Sequence, residues 1–137
     1  MNTQQHTQSN GTILLVEDDD SLSRAYRDGF EKAGFMVIVA TDGAEAEKKL
    51  QEVKPDLIVL DLVMPVKNGF EVLEDIRKKK DEYRKIPIMV LSVLAERNNV
   101  DKAHELGAID YLVKSQFSMQ EVIDRVARHV RAAQKRK

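Results

Sequence analysis

What constrains this chain most is a spacing. Short apolar runs recur at residues 13–16, 35–40, 57–60, 88–91 and 109–113. Between and after them lie longer stretches whose apolar residues fall at three- and four-residue intervals. Runs of four to six residues rich in Val, Ile and Leu read as strands buried on both faces, which is the pattern of a parallel sheet. Strands that alternate with helical patterns imply right-handed crossovers, with helices covering both faces of one sheet. The expectation is therefore an α/β domain of five parallel strands and five helices.

Local signals support each helix. Leu22, Ala25, Tyr26, Gly29, Phe30 and Ala33 share one helical face, and Gly34 stands ready as a C-terminal cap. Asp42 or Thr41 can cap a second helix carrying Ala44, Ala46, Leu50 and Val53, which Lys54-Pro55 stops. Pro65 and Asn68-Gly69 mark a turn before a third helix with Phe70, Val72, Leu73 and Ile76. Residues 81–85 read as a polar loop. A modest, strongly charged helix over residues 95–106 leans on Val100, Ala103 and Leu106 and ends at Gly107. Ser118 with Glu121 three residues on is a capping-box pattern, and Met119, Val122, Ile123, Val126, Ala127 and Val130 form an apolar stripe behind it.

Length and composition bound the rest. A chain of 137 residues suits one domain with a proper core. Residues 1–11 are polar and aperiodic and read as an unstructured leader, residues 12–131 as the domain, and residues 132–137 as a basic tail. No apolar stretch is long enough to span a membrane, and none follows a basic start as in a signal peptide. Zero cysteines exclude a disulfide framework and thiolate chemistry, which fits a cytoplasmic protein. A net charge of −1 gives no global field for nucleic acid. The cations from Arg125 onward lack interleaved aromatic residues and read as a solvated helix end.

Chemistry gathers at the carboxyl ends of the runs, where open α/β sheets build their sites. The first run ends on Glu17-Asp18-Asp19-Asp20, the third on Asp61, the fourth on Ser92 and the fifth on Lys114. Singly, these are ordinary caps and turn residues. Together, three acids, a hydroxyl and an ammonium at one edge have a shared logic. One or two of the clustered acids can cap the next helix, at Asp19, Asp20 or Ser21. Glu17, Asp18 and Asp61 repel one another unless a hard divalent cation, Mg²⁺ above all, joins them through oxygen ligands. A carboxylate is a competent nucleophile toward phosphorus. Phosphoryl transfer then needs in-line positioning and cations against the phosphoryl oxygens, which a divalent ion and Lys114 supply. Asp61 is the candidate acceptor. No Gly-x-Gly-x-x-Gly follows the first run, which weighs against a dinucleotide-binding domain.

Four stretches carry a family resemblance: Ile13-Leu14-Leu15-Val16-Glu17-Asp18-Asp19; Asp61-Leu62-Val63-Met64-Pro65 with Asn68-Gly69 beyond; Val90-Leu91-Ser92; and Gly107-Ala108 through Tyr111 to Lys114. In this order and spacing the chain resembles the receiver domain of two-component response regulators, over residues 12–130. The resemblance implies a flavodoxin-like, doubly wound sheet with strand order 2-1-3-4-5. It implies phosphorylation of Asp61 from the phosphohistidine of a sensor histidine kinase or histidine phosphotransfer protein. Mg²⁺ or Mn²⁺ would be held by Asp18, Asp61 and the Val63 carbonyl, with Glu17 acting through water. Ser92 would be the switch hydroxyl, Tyr111 the switch aromatic and Lys114 the phosphate contact. The face of the fourth helix, fifth strand and fifth helix would act on a downstream protein, with dimerisation on phosphorylation among its outcomes. Neither direct DNA binding nor turnover of a separate substrate is expected.

The chain departs from the family pattern at several positions. Ser115 follows Lys114 where proline is usual in a cis bond, so either a trans bond with a rearranged loop before Phe117 or a strained cis bond is expected. Val93 stands where a small residue is usual, narrowing access to Asp61. Val63 and Leu94 are apolar where many receivers are polar, and offer no group to orient a hydrolytic water. Asn68 replaces a common aspartate in what reads as a neutral turn exchange. Other readings of the same residues are a phosphorylation-independent interaction module, a Mg²⁺-dependent phosphatase, and a flavin or nucleotide binder. The second lacks an acid two residues past Asp61. The third lacks a phosphate-cradling loop after the first run.

Overall fold

The computed structural model describes residues 9–64, 67–79 and 81–136. Five strands form one parallel sheet: β1 (Thr12–Val16), β2 (Met36–Ala40), β3 (Leu57–Leu60), β4 (Ile88–Ser92) and β5 (Asp110–Val113). Their order is β2-β1-β3-β4-β5, as the resemblance implied. Five helices connect and cover them: α1 (Asp20–Lys32), α2 (Gly43–Glu52), α3 (Gly69–Lys78), α4 (Arg97–Glu105) and α5 (Met119–Lys135).

The period-two geometry of the strands sends alternate side chains to opposite faces, and this divides the core in two. On one face Ile13, Leu15, Val59, Met89 and Leu112 pack against Tyr26 and Phe30 of α1 and Val122, Val126 and Val130 of α5. On the other, Leu14, Val16, Ile58, Leu60 and Val90 meet Ala46 and Leu50 of α2, Val72, Leu73 and Ile76 of α3, and Ala103 of α4. Every residue of β3 is buried, as a central strand covered on both sides requires. Each large aliphatic side chain buried here contributes roughly 1.5–3 kcal/mol.

Caps settle most choices the sequence left open. Asp19 caps α1, its carboxylate accepting from the Leu22 amide, and Asp42 caps α2 in the same way through Glu45. Ser118 and Glu121 form the expected capping box on α5. Asn68 and Glu71 form another on α3, so Asn68 is a helix cap rather than a plain turn residue. Gly34 and Gly107 take the positive φ values (98° and 102°) that end α1 and α4.

Several expectations are corrected. Asp81–Arg84 is a single helical turn, not a loop. The helix read from residue 95 starts two residues later, at Arg97, because Glu96 makes no side-chain cap. α5 runs to Lys135, so most of the basic tail is helix. Residues 10 and 11 of the leader are tied down: the Asn10 amide donates to Gly34 O, the Asn10 side chain to Ala33 O, and Gly11 O accepts from Met36. Residues 1–8 of the leader, with His6, and Pro65 of the turn lie outside the described residues. Among the described residues no peptide bond is cis. After Lys114 the chain takes one 3-10 turn, Lys114–Gln116, which is the trans alternative.

Candidate functional site

Parallel register brings the carboxyl ends of β1, β3, β4 and β5 to one edge. Glu17 and Asp61 each stand one residue past their strand and are buried, with 2% and 5% of their surface exposed. Asp18 faces outward. One carboxylate oxygen from each of Glu17, Asp18 and Asp61 lies within 4.8 Å of the others. Three hard oxygen donors that close, two of them buried, fit a small divalent cation.

Hydrogen bonds aim these acids. Glu17 Oε2 accepts from the Asp19 amide at 3.1 Å, and Asp61 Oδ1 accepts from the Val63 amide at 3.2 Å. Lys114 Nζ reaches in from the end of β5, 2.6 Å from Glu17 Oε1 and 3.6 Å from Asp61 Oδ2. The Lys114 side chain is only 10% exposed. Burial pushes Asp61 up, and the Glu17 charge adds to it. Lys114 and the Val63 amide oppose the shift, and the balance leaves Asp61 at about 6. For Lys114 burial pulls downward, but Glu17 and Asp61 outweigh it, so its pKa is raised.

Ser92 ends β4 fully buried, its hydroxyl accepting from the Leu94 amide at 3.2 Å. Tyr111 donates its phenolic hydrogen to the Leu94 carbonyl at 2.8 Å. The two residues thus hold one segment, Leu94, from both sides. Val63, two residues past Asp61, and Val93, next to Ser92, are apolar and stand at 48% and 59% exposure.

The expected residues therefore converge: Glu17, Asp18, Asp61, Lys114 and, one layer out, Ser92 and Tyr111. Three further features escaped the sequence. Asp19 does two jobs, capping α1 with its side chain and orienting Glu17 with its amide, and only geometry separates them. Tyr26, read as a core residue, lies within electrostatic reach of Lys114, Glu17 and Asp61, although burial dominates its upward shift. Gly69 is required by contact, since a Cβ there would run into the Asp61 carbonyl and the Leu62 Cα. The Asn68-Gly69 pair was the only trace of that in the sequence.

Away from the site, Asp110 at the start of β5 accepts from Arg125 Nη1 at 2.7 Å and pairs with His129 Nε2 at 2.7 Å. Burial would raise Asp110, but His129, Arg125 and the Tyr111 amide overcome it and hold it at about 2.

Comparison with known proteins agrees with this geometry. The family model described as "Response regulator receiver domain" matches residues 13–127. The alkaline phosphatase synthesis transcriptional regulatory protein PhoP of Bacillus subtilis is 41% identical over 117 residues, covering 85% of this chain and 47% of that protein. The chain spans about half the length of the curated relatives it matches. The receiver domain of the Francisella response regulator 1452 superposes with a TM-score of 0.81 at 31% identity, covering 89% of this chain and 98% of that one. The Mn²⁺-bound form of response regulator Rcp1 superposes with a TM-score of 0.73 at 31% identity, over 85% and 89% of the two chains. With its motifs, sheet order and acidic edge all in agreement, this chain belongs to the response regulator receiver domain family.

Proposed function

We propose that this domain is a phosphorylation-controlled signalling switch, loaded at Asp61 by the phosphohistidine of a sensor histidine kinase or histidine phosphotransfer protein. The observation that carries the reading is the Lys114 ammonium seated between two buried carboxylates, Glu17 and Asp61. A buried lysine at a nucleophilic carboxylate suits a reaction that brings negative charge to that carboxylate. An Asp61 carboxylate oxygen attacks phosphorus in line with the leaving imidazole nitrogen. The P–O bond forms as the P–N bond breaks, and the imidazole keeps the electron pair.

The three acids fit Mg²⁺ or Mn²⁺, which Asp18, Asp61 and the Val63 carbonyl would hold with Glu17 acting through water; the Mn²⁺-bound Rcp1 is consistent with this. When bound, such an ion neutralises charge on the phosphoryl oxygens. The chain's own residues do the remainder. Lys114 moves its contact from Glu17 to the phosphoryl group. The new acceptor oxygens draw the Ser92 hydroxyl, which releases the Leu94 amide. Tyr111 is bonded to the carbonyl of that same Leu94, so the change reaches β5 and the face it shares with α4 and α5. That face would act on a downstream protein in the cytoplasm. The domain turns over no separate substrate beyond its own loading and unloading. Val63 stands where an aspartyl-phosphate phosphatase needs a second acid.

Intact mass after incubation with Mg²⁺ and acetyl phosphate tests the reading. A phosphoryl adduct on the wild type and none on Asp61→Asn is expected. An adduct that persists on Asp61→Asn overturns it. So does its absence with both acetyl phosphate and a phosphorylated histidine kinase.

A further inference from the structure

The end of the sheet opposite Asp61 carries a second, differently charged feature. Asp56 precedes β3 and Asp61 follows it, which separates the two ends by about 16 Å at roughly 3.3 Å per residue. At the Asp56 end lies a groove of about 600 Å³ between the start of β3, the start of β4 and the end of α5. Pro55, Ile86, Pro87 and Ala133 form its apolar floor, and Lys54, Lys85 and Arg136 stand on its rim. All four floor residues are buried, and all three rim cations are exposed.

The groove is preformed. The Asp56 amide donates to Thr12 O, Pro87 O accepts from Ile58, and Ile86 O accepts from the half-buried Arg77 guanidinium. Among its described lining residues the one acid is Asp56, 8% exposed, whose Oδ2 accepts from the Thr12 amide at 2.8 Å. Arg131 and Lys135 extend the positive potential along the exposed side of α5. The chain is nearly neutral as a whole, yet acids outnumber cations at one end, where Lys114 sits among Glu17, Asp18, Asp19, Asp20 and Asp61, and cations outnumber acids at the other, where Asp56 sits among Lys54, Lys85, Lys135 and Arg136.

We propose that this groove is a docking site for an acidic peptide segment of a partner protein, with one large apolar side chain seated on the Pro55–Pro87 floor and flanking carboxylates on Lys85 and Arg136. The charge of the rim selects carboxylates. The apolar floor favours an apolar side chain between them over a uniformly charged polymer. β3 and β4 are both paired on each side, so the segment cannot add as a strand and must bind through its side chains. Because this end is remote from Asp61, a partner held here leaves the acceptor open to its phosphodonor.

Fluorescence anisotropy with the full chain tests this. The probe is a labelled peptide with one phenylalanine flanked on each side by two glutamates. Saturable binding is expected, weakened about tenfold in Lys85→Glu with Arg136→Glu, as two exposed charge contacts would give. The pair Arg24→Glu with Arg97→Glu changes the net charge equally on α1 and α4 and should leave binding unchanged. Replacing phenylalanine by serine in the probe should weaken binding by a similar factor. The proposal is overturned by no saturable binding, by equal loss in both double variants, or by equal binding of the serine peptide. Binding of phosphatidylserine-containing vesicles or oligothymidylate through the same residues, without peptide binding, also overturns it and assigns the rim to a lipid surface or nucleic acid instead.

Discussion

Lys114 is shared unequally between two acids, and that division governs what single substitutions do. Burial and Glu17 hold Asp61 at about 6 against an ordinary 3.8, so the folded state favours its protonated form. Its contribution to stability is full below about pH 4 and is lost as pH rises through 6. At pH 7 with a chelator present, Asp61→Asn should therefore raise folding stability by about 1–2 kcal/mol, read from the urea midpoint. Adding Mg²⁺ should raise the midpoint of the wild type and not of the variant. Lys114→Ala removes the counter-charge from buried Glu17 and should cost about 3 kcal/mol, with loss of phosphorylation. The apolar Val63 and Leu94 offer nothing to orient a hydrolytic water, so the phosphoryl group should be long-lived, and decay within seconds in a timed mass measurement would refute this. Asp61 and Lys114 were legible as residues because each ends an apolar run. The orienting bond from Asp19 to Glu17 was not, because four adjacent acids look alike until the backbone turns.

The elements differ in how firmly they are held. α5 buries Val122, Val126, Val130 and Ala133, whereas Ala103 is the one buried residue of α4, whose first turn has no side-chain cap. Amide hydrogens of α4 should accordingly exchange well before those of α5 and β3. α5 is also tied to β5 by Asp110, which holds Arg125 and His129. Asp110 sits at about 2 in the folded state, so its contribution is full above about pH 4 and disappears as pH falls through 2. Asp110→Asn should cost about 1–2 kcal/mol at neutral pH and flatten the acid limb of a stability–pH curve over that window. Element types were readable from period and length, and three of the four side-chain N-caps, at Asp19, Asp42 and Ser118, were among those the sequence offered. Boundaries slipped where that chemistry fails: at Glu96, which leaves α4 to start late, and at residues 81–84, too short for a helical period to register.

The whole molecule is two half-cores on one sheet, and every strand contributes to both. Neither half can come apart without exposing the other. Urea unfolding followed by far-ultraviolet circular dichroism and by tyrosine emission should therefore give coincident transitions, since Tyr26 reports one half-core and Tyr83 and Tyr111 the other. Parallel pairing was legible from the alternation of strands and helices. The order of the strands was not, because period says nothing of which strand sits beside which; that came from the resemblance. The Asp110 tie and the groove at the Asp56 end had no trace in the sequence, since each is assembled from residues far apart in the chain.

The ammonium resting on Glu17 has a consequence for supply. Where a structural metal holds a fold together, protein made without the ion stays unfolded. Here the chain supplies a cation of its own, Lys114 Nζ lying 2.6 Å from Glu17 Oε1. On the function proposed above, ion supply would set how quickly a folded molecule is charged rather than how many molecules are folded.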